Sequence, residues 1–143
     1  MGINRILNKN LFLYLLDLEV KRAWRYQNFI SLLLLNLKQC PGDNPGNNNG
    51  SDFQTCYQIL IDLLTVELRE TDIIGSLGEN KLGVLFPYAD QSAGGHAKAR
   101  FEGILKYYDF KNKGYEVETD QICFPVNGTA ILGLIKGYSD QLS

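Results

Sequence analysis

Apolar residues recur with helical spacing in three parts of the chain. They do so over residues 11–27 and 53–70, and more weakly over 89–110, where Gly94 and Gly95 interrupt the pattern. Side chains three or four positions apart lie on one face of a helix. Each stretch therefore predicts an amphipathic helix that packs one face against a core.

Between these stretches lie segments whose pattern predicts strands. Residues 29–39 are almost continuously apolar, which indicates a strand buried on both faces. Residues 72–78 and 81–87 predict a hairpin, and residues 115–126 predict a strand of alternating character. A short final helix is predicted over 129–142. This order predicts an α/β domain of the α+β type, with helices packed on a sheet that contains antiparallel strands.

Length and charge limit what such a domain does. The chain has 143 residues, of which 45% are hydrophobic, so one domain spanning 1–143 is expected. Its net charge of −2 provides no basic field for a polyanion, so no nucleic-acid polymer is expected as a partner. Residues 40–52 are dense in Pro, Gly and Asn, which predicts a mobile loop.

The cysteines, and the lack of a signal-peptide or membrane-span pattern, favour a reducing compartment. Cys40, Cys56 and Cys123 are far apart and His96 is the single histidine, so neither a disulfide framework nor a zinc site is predicted. No stretch has the pattern of a signal peptide or the apolar length of a membrane span. We therefore expect a cytoplasmic domain without direct membrane insertion, whether alone or as part of a longer chain.

Three blocks of sequence together carry a resemblance to a known family. They are EVKRAWRYQNFISLLLLNL (19–37), RETD (69–72) and SLGENKLGVLFP (76–87). At these separations they resemble the GGDEF family of diguanylate cyclases, over about residues 15–126. The resemblance implies a bacterial signalling domain of the nucleotidyl-cyclase class, with a palm-like central mixed sheet of about five strands and surrounding helices. It also implies that residues 1–14 are a lead-in helix from an upstream region.

The family signature G-G-(D/E)-E-F aligns with the turn of the predicted hairpin. The aligned residues here are Gly78, Glu79, Asn80, Lys81 and Leu82. In active members the glycines let the backbone approach the GTP phosphates, and the acids serve the metal. Here Glu79 replaces the second glycine, Asn80 replaces a metal-binding acid, and Asn36 replaces the other one. Because phosphoryl transfer depends on the metal, the resemblance implies a domain with no catalytic residue, metal site or cofactor.

A second motif of the family is retained. Many members bind cyclic di-GMP at an R-x-x-D motif ahead of the signature turn, with a further arginine from the next helix. Arg69, Asp72 and Arg100 occupy the aligned positions. Guanidinium groups suit phosphates and guanine edges, and a carboxylate accepts from guanine N1 and N2. The alternative is that Arg69 and Asp72 form a helix-end ion pair or cap and that Arg100 is an ordinary solvated residue.

Two classes of function follow from these motifs. The first is an inactive GGDEF-like domain that acts as a cyclic di-GMP receptor. The second is a pseudoenzyme that binds no nucleotide and serves as an interaction or dimerisation module, including as a homodimer. Other chemistry-bearing residues are assigned structural roles. His96 is expected at the surface or half-buried, Trp24 packed against the sheet, and Tyr107, Tyr108 and Phe110 at a core edge or an interface. The upstream sensor and the output partner are not specified by the sequence.

Overall fold

The computed structural model describes residues 5–40, 50–108, 110 and 113–124. The elements in chain order are helix α1 (Lys9–Tyr26), strand β1 (Ile30–Gln39), helix α2 (Gly50–Glu67), strands β2 (Ile73–Gly78) and β3 (Lys81–Pro87), helix α3 (Gln91–Tyr107) and strand β4 (Tyr115–Phe124). The predicted order is confirmed within these residues. The predicted final helix and most of the predicted loop over 40–52 lie outside them.

The strands form one antiparallel sheet in the order β2-β3-β1-β4. The predicted α+β class is confirmed. Within the described residues the sheet has four strands rather than about five, and every neighbouring pair is antiparallel rather than mixed. The predicted hairpin forms, but only β3 lies inside the sheet, whereas β2 lies at its edge.

Strand β1 supplies apolar side chains to two cores, one on each face of the sheet. Leu33, Leu35 and Leu37 join the core beneath α2 and α3. Leu32 and Leu34 join the core beneath α1. Successive side chains of a strand point to opposite faces, so a continuous run of leucines fills both cores. The prediction that this strand is buried on both faces is confirmed.

Helix α1 begins at Lys9, where the Asn8 side chain accepts a hydrogen bond from the Leu11 N–H at 2.8 Å. Within the described residues, then, the predicted lead-in helix over 1–14 is helical only from Lys9 onward. Its buried face consists of Phe12, Leu16, Val20 and Ala23.

The prediction that Trp24 packs against the sheet is wrong, because this side chain is 60% exposed. The small Ala23 takes the position against the sheet, and Trp24 lies a further 100° around the helix. Leu11, Tyr14 and Leu18 are also exposed on the outer side of α1. None of the described helices is long and apolar enough to cross a membrane.

Candidate functional site

The hairpin turn that aligns with the family signature consists of Glu79 and Asn80. It is closed by the pairing of Gly78 with Lys81. Neither turn residue has a positive φ, so a side chain at Glu79 causes no left-handed backbone strain. Glu79 is exposed, and Leu82 is fully buried beneath α2 and α3. The turn thus accommodates its substituted residues without left-handed backbone, and the register of β2 against β3 shifts just ahead of it, between Ser76 and Gly78.

Asn80 ties this turn to the end of β1. Its Nδ2 donates to Oδ1 of Asn36 at 2.9 Å and to the carbonyl oxygen of Leu37 at 3.0 Å. The Leu37 N–H donates in turn to the Asn80 carbonyl oxygen at 2.9 Å. The structure therefore brings together the two positions that align with the metal-binding acids.

Lys81 lies beside this amide pair. It pairs with Asn36 on β1, and Asn36 pairs with Glu118 on β4, so the three side chains share one face of the sheet. Lys81 is only 8% exposed. Burial lowers the pKa of its ammonium group; the Glu118 carboxylate opposes this shift and Lys38 adds to it. Glu118 also forms an ion pair of 3.0 Å with Lys38.

The chemistry of these groups does not fit a divalent cation. Mg²⁺ selects carboxylate and phosphate oxygens, whereas two mutually bonded amides and an ammonium group occupy this position. No group of three or more His, Cys, Asp or Glu side chains suited to a metal occurs in the part of the chain that the structure describes.

The R-x-x-D motif forms a compact turn between α2 and β2. The Arg69 N–H donates to Oδ2 of Asp72 at 2.8 Å, and the Asp72 N–H donates to the Arg69 carbonyl oxygen at 3.1 Å. Asp72 is only 8% exposed, while Arg69 is exposed. Asp72 is therefore largely buried, and its carboxylate caps its own turn.

Arg5 belongs to this turn, although no feature of the sequence indicated it. Its Nη2 donates to the carbonyl oxygens of Arg69 and Asp72, at 2.9 and 2.7 Å. These carbonyls belong to the first and last residues of the motif. A contact that spans more than sixty residues leaves no local pattern, so periodicity and motif spacing could not reveal it.

Arg100 reaches the same end of α2 from the neighbouring helix α3. Its Nε lies 4.0 Å from Oε1 of Glu67, the last residue of α2. Its guanidinium carbon lies 5.2 Å from the centre of the Phe101 ring. Since the Arg100 side chain remains 45% exposed, this ion pair is loose and solvent-screened. The structure therefore places Arg100 near the turn but not in contact with Asp72.

The residues assigned structural roles behave in two ways. His96 is exposed, as predicted. Tyr108 and Phe110 pack edge to face, with ring centres 4.7 Å apart, whereas Tyr107 is 94% exposed and is not part of a core edge.

A cavity of about 530 Å³ lies nearby, between α3 and β4, and is lined by no residue of the signature or of the R-x-x-D motif.

Solved structures of GGDEF domains are similar to this chain over nearly its whole length. A diguanylate cyclase protein from Thermotoga maritima gives a TM-score of 0.76 at 12% identity, covering 96% of each chain. The GGDEF domain of DgcB from Caulobacter crescentus, solved in complex with c-di-GMP, gives 0.75 at 12% identity, covering 99% of this chain and 85% of that one. The FimX GGDEF domain from Pseudomonas aeruginosa gives 0.72 at 16%, covering 96% and 88%. No family model and no curated protein matches the sequence.

Proposed function

We propose that this chain, which has the fold of a GGDEF domain, makes no cyclic di-GMP and binds it through Arg69, Asp72 and Arg100. The observation that carries the proposal is the arrangement of the R-x-x-D turn. It presents an exposed guanidinium and a positioned carboxylate at one place, and α3 brings a second guanidinium to the same end of α2.

The absence of synthesis is supported by the signature hairpin. Diguanylate synthesis needs metal-bound phosphates, and the aligned positions hold the hydrogen-bonded amides of Asn36 and Asn80 with Lys81 beside them. A buried ammonium group next to these amides repels a divalent cation. Glu79 adds a side chain where the backbone of active members approaches the phosphates.

Ligand binding is supported by the chemistry of the R-x-x-D turn. Only Oδ2 of Asp72 is used as a cap among the described residues, so Oδ1 remains an acceptor for guanine N1 or N2. The Arg69 and Arg100 guanidinium groups suit phosphate oxygens or the O6 and N7 edge of guanine. The DgcB domain, which has this fold, was solved in complex with c-di-GMP.

Calorimetric titration of the purified chain with cyclic di-GMP tests the proposal. Arg69→Ala and Arg100→Ala are each expected to weaken binding about tenfold or more, because a charge-assisted hydrogen bond contributes about 1.5–3 kcal/mol. Arg22→Ala is the matched control, since it removes an exposed arginine from α1 whose partner is Glu19. Unchanged affinity in both variants, or no binding by the wild-type chain, contradicts the proposal.

Guanine recognition is tested separately with Asp72→Asn. Asparagine can still accept from the Arg69 N–H, but it replaces the second carboxylate oxygen with a donor. We therefore expect this variant to fold normally and to lose discrimination between cyclic di-GMP and its adenine analogue. Discrimination equal to that of the wild-type chain would show that Asp72 does not contact the base.

The alternative is that the chain is an interaction or dimerisation module that binds no nucleotide. The absence of cyclic di-GMP binding in the titration would favour it. The observation on its side is the outer face of α1, where Leu11, Tyr14 and Leu18 are exposed at helical spacing. Sedimentation of the purified chain at several concentrations tests its homodimer form, since Tyr14→Glu would abolish self-association through this face.

A further inference from the structure

We infer that Arg5 positions the R-x-x-D turn and couples ligand binding there to the docking of the N-terminal arm. The arm is defined here as Arg5–Asn8. The inference rests on the proposed binding of cyclic di-GMP, and it adds the means by which the segment ahead of α1 regulates that site.

The Arg5 guanidinium closes the turn from outside. One nitrogen, Nη2, carries two N–H groups and donates to the carbonyl oxygens of Arg69 and Asp72, at 2.9 and 2.7 Å. The Arg69 carbonyl oxygen also accepts from the Asp72 N–H, at 3.1 Å. A planar donor that bonds both ends of a four-residue turn fixes the separation of those ends. It thereby fixes how the Arg69 and Asp72 side chains are presented.

The rest of the arm is bound to the edge of β2. The Leu7 N–H donates to the Ile74 carbonyl oxygen at 3.0 Å, and the Ser76 N–H donates to the Leu7 carbonyl oxygen at 2.9 Å. Leu7 and Gly75 thus form a parallel bridge, whereas the strands of the sheet pair antiparallel. Asn8 then caps α1. The arm is a short connection between the start of α1 and the candidate ligand site.

This connection makes the turn and the arm one thermodynamic unit. When the arm is displaced, the turn keeps its internal Arg69–Asp72 bonds but loses both bonds from Arg5. A ligand must then order the turn itself, and its affinity falls. Because linkage between two equilibria is reciprocal, a bound ligand must hold the arm more firmly on β2 by the same factor. A force or partner acting ahead of α1 therefore changes affinity at the turn.

Two measurements on the full chain test the coupling. In calorimetry, Arg5→Ala is expected to weaken cyclic di-GMP binding about tenfold, within the usual range of coupling between sites. Arg5→Lys keeps the charge without the planar fork and is expected to be intermediate. The Arg22→Ala control, which loses the same charge at an exposed position of α1, is expected to bind as the wild-type chain does. In amide hydrogen exchange, the ligand is expected to slow exchange at Leu7 and Ser76 in the wild-type chain but not in Arg5→Ala.

The outcomes separate this inference from the function on which it rests. Equal affinity of Arg5→Ala and wild type, or equal weakening by Arg22→Ala, overturns the coupling. If the wild-type chain binds no ligand, the proposed function fails. Amide hydrogen exchange at Asp72 and Ser76 without ligand then tests only whether Arg5 positions the turn. Faster exchange in Arg5→Ala than in wild type supports this role, and unchanged exchange refutes it. If Arg5→Ala does not fold, the coupling is tested with Arg5→Lys and the wild-type chain. Weaker binding by Arg5→Lys than by wild type, together with slower amide exchange at Leu7 and Ser76 when ligand is added to wild type, supports the coupling. The absence of both effects overturns it.

Discussion

Nδ2 of Asn80 lies 2.9 Å from Oδ1 of Asn36, which joins the hairpin turn directly to the end of β1. Each amide satisfies a polar group of the other strand, so the pair stabilises the local fold in a place where two carboxylates would repel each other without a cation. With an amide at both positions, this contact needs no cation to balance its charge.

The first prediction concerns synthesis. The purified chain is expected to form no cyclic di-GMP from GTP with Mg²⁺ or Mn²⁺, and the double variant Asn36→Asp with Asn80→Glu is expected to remain inactive. Lys81 still places a buried cation at the site, and Glu79 still carries a side chain at the position that aligns with the second glycine of the signature. Chromatography of the nucleotides, beside an active cyclase under the same conditions, measures this. Turnover by the double variant would show that the two acids suffice.

The second prediction concerns the stability of the R-x-x-D turn. Asp72→Ala removes the acceptor for the Arg69 N–H and is expected to lower the free energy of unfolding by about 1 kcal/mol, as loss of a helix cap does. Asp72→Asn retains an acceptor and is expected to cost less. Glu70→Ala, at an exposed position inside the same turn, is the control and should stay within about 0.5 kcal/mol of wild type. Urea unfolding at pH 7 measures all three, and equal stability of Asp72→Ala and wild type would contradict the cap.

The parts of the fold that sequence predicted are those with strong local signals. The leucines of β1 and the apolar strands around Glu79 and Asn80 carry their own periodicity, so each element is visible without its neighbours. The family resemblance aligned Asn36 and Asn80 with two metal-binding acids, but the hydrogen bond between them was not predicted, because strand register cannot be read from either strand alone.

What sequence did not predict depends on contacts between distant segments. Arg5 lies on the turn only because the arm docks on the edge of β2. The burial of Asp72 likewise has no local pattern in the sequence. Trp24 was misassigned because large apolar residues are usually inside, whereas the end of α1 offers Ala23 to the sheet instead.

The third prediction is a pH dependence caused by Lys81. Burial places its pKa in the folded chain below the ordinary value of 10.5, so the unfolded chain binds more protons between the lowered pKa and 10.5. Lys81 therefore destabilises the fold at neutral pH, and this penalty disappears as the pH rises through that interval. The gain in unfolding free energy of Lys81→Met over wild type is expected to be largest at pH 7 and to shrink toward pH 10. Unfolding in urea across this range measures it.

A second variant checks the electrostatic origin of that trend. Glu118 opposes the shift, so Glu118→Gln is expected to lower the pKa of Lys81 further and to start the gain in stability at a lower pH. A difference between Lys81→Met and wild type that is flat with pH would show that the ammonium group is not penalised by burial.

The last prediction separates packing from helix propensity in α3. A Cβ atom on Gly94 would lie 2.5 Å from Nε2 of Gln121 and closer still to Oγ of Ser31, whereas one on Gly103 would meet nothing within 4 Å. The Ser31 hydroxyl donates to the carbonyl oxygen of Asp90 at 3.1 Å. Ser31 therefore also holds the start of α3 on β1.

Alanine at position 94 or 103 raises the helix propensity of α3, but only at 94 would the added methyl group clash with side chains of the sheet. Gly103→Ala is expected to stabilise the fold by about 0.5–1 kcal/mol, as alanine does in an exposed helix interior. Gly94→Ala is expected to destabilise it by about 1–3 kcal/mol, because α3 must move away from Ser31 and Gln121. Urea unfolding with matched slopes gives both values. Equal stability of Gly94→Ala and Gly103→Ala would contradict the claim that the close approach of α3 to β1 and β4 requires glycine at position 94.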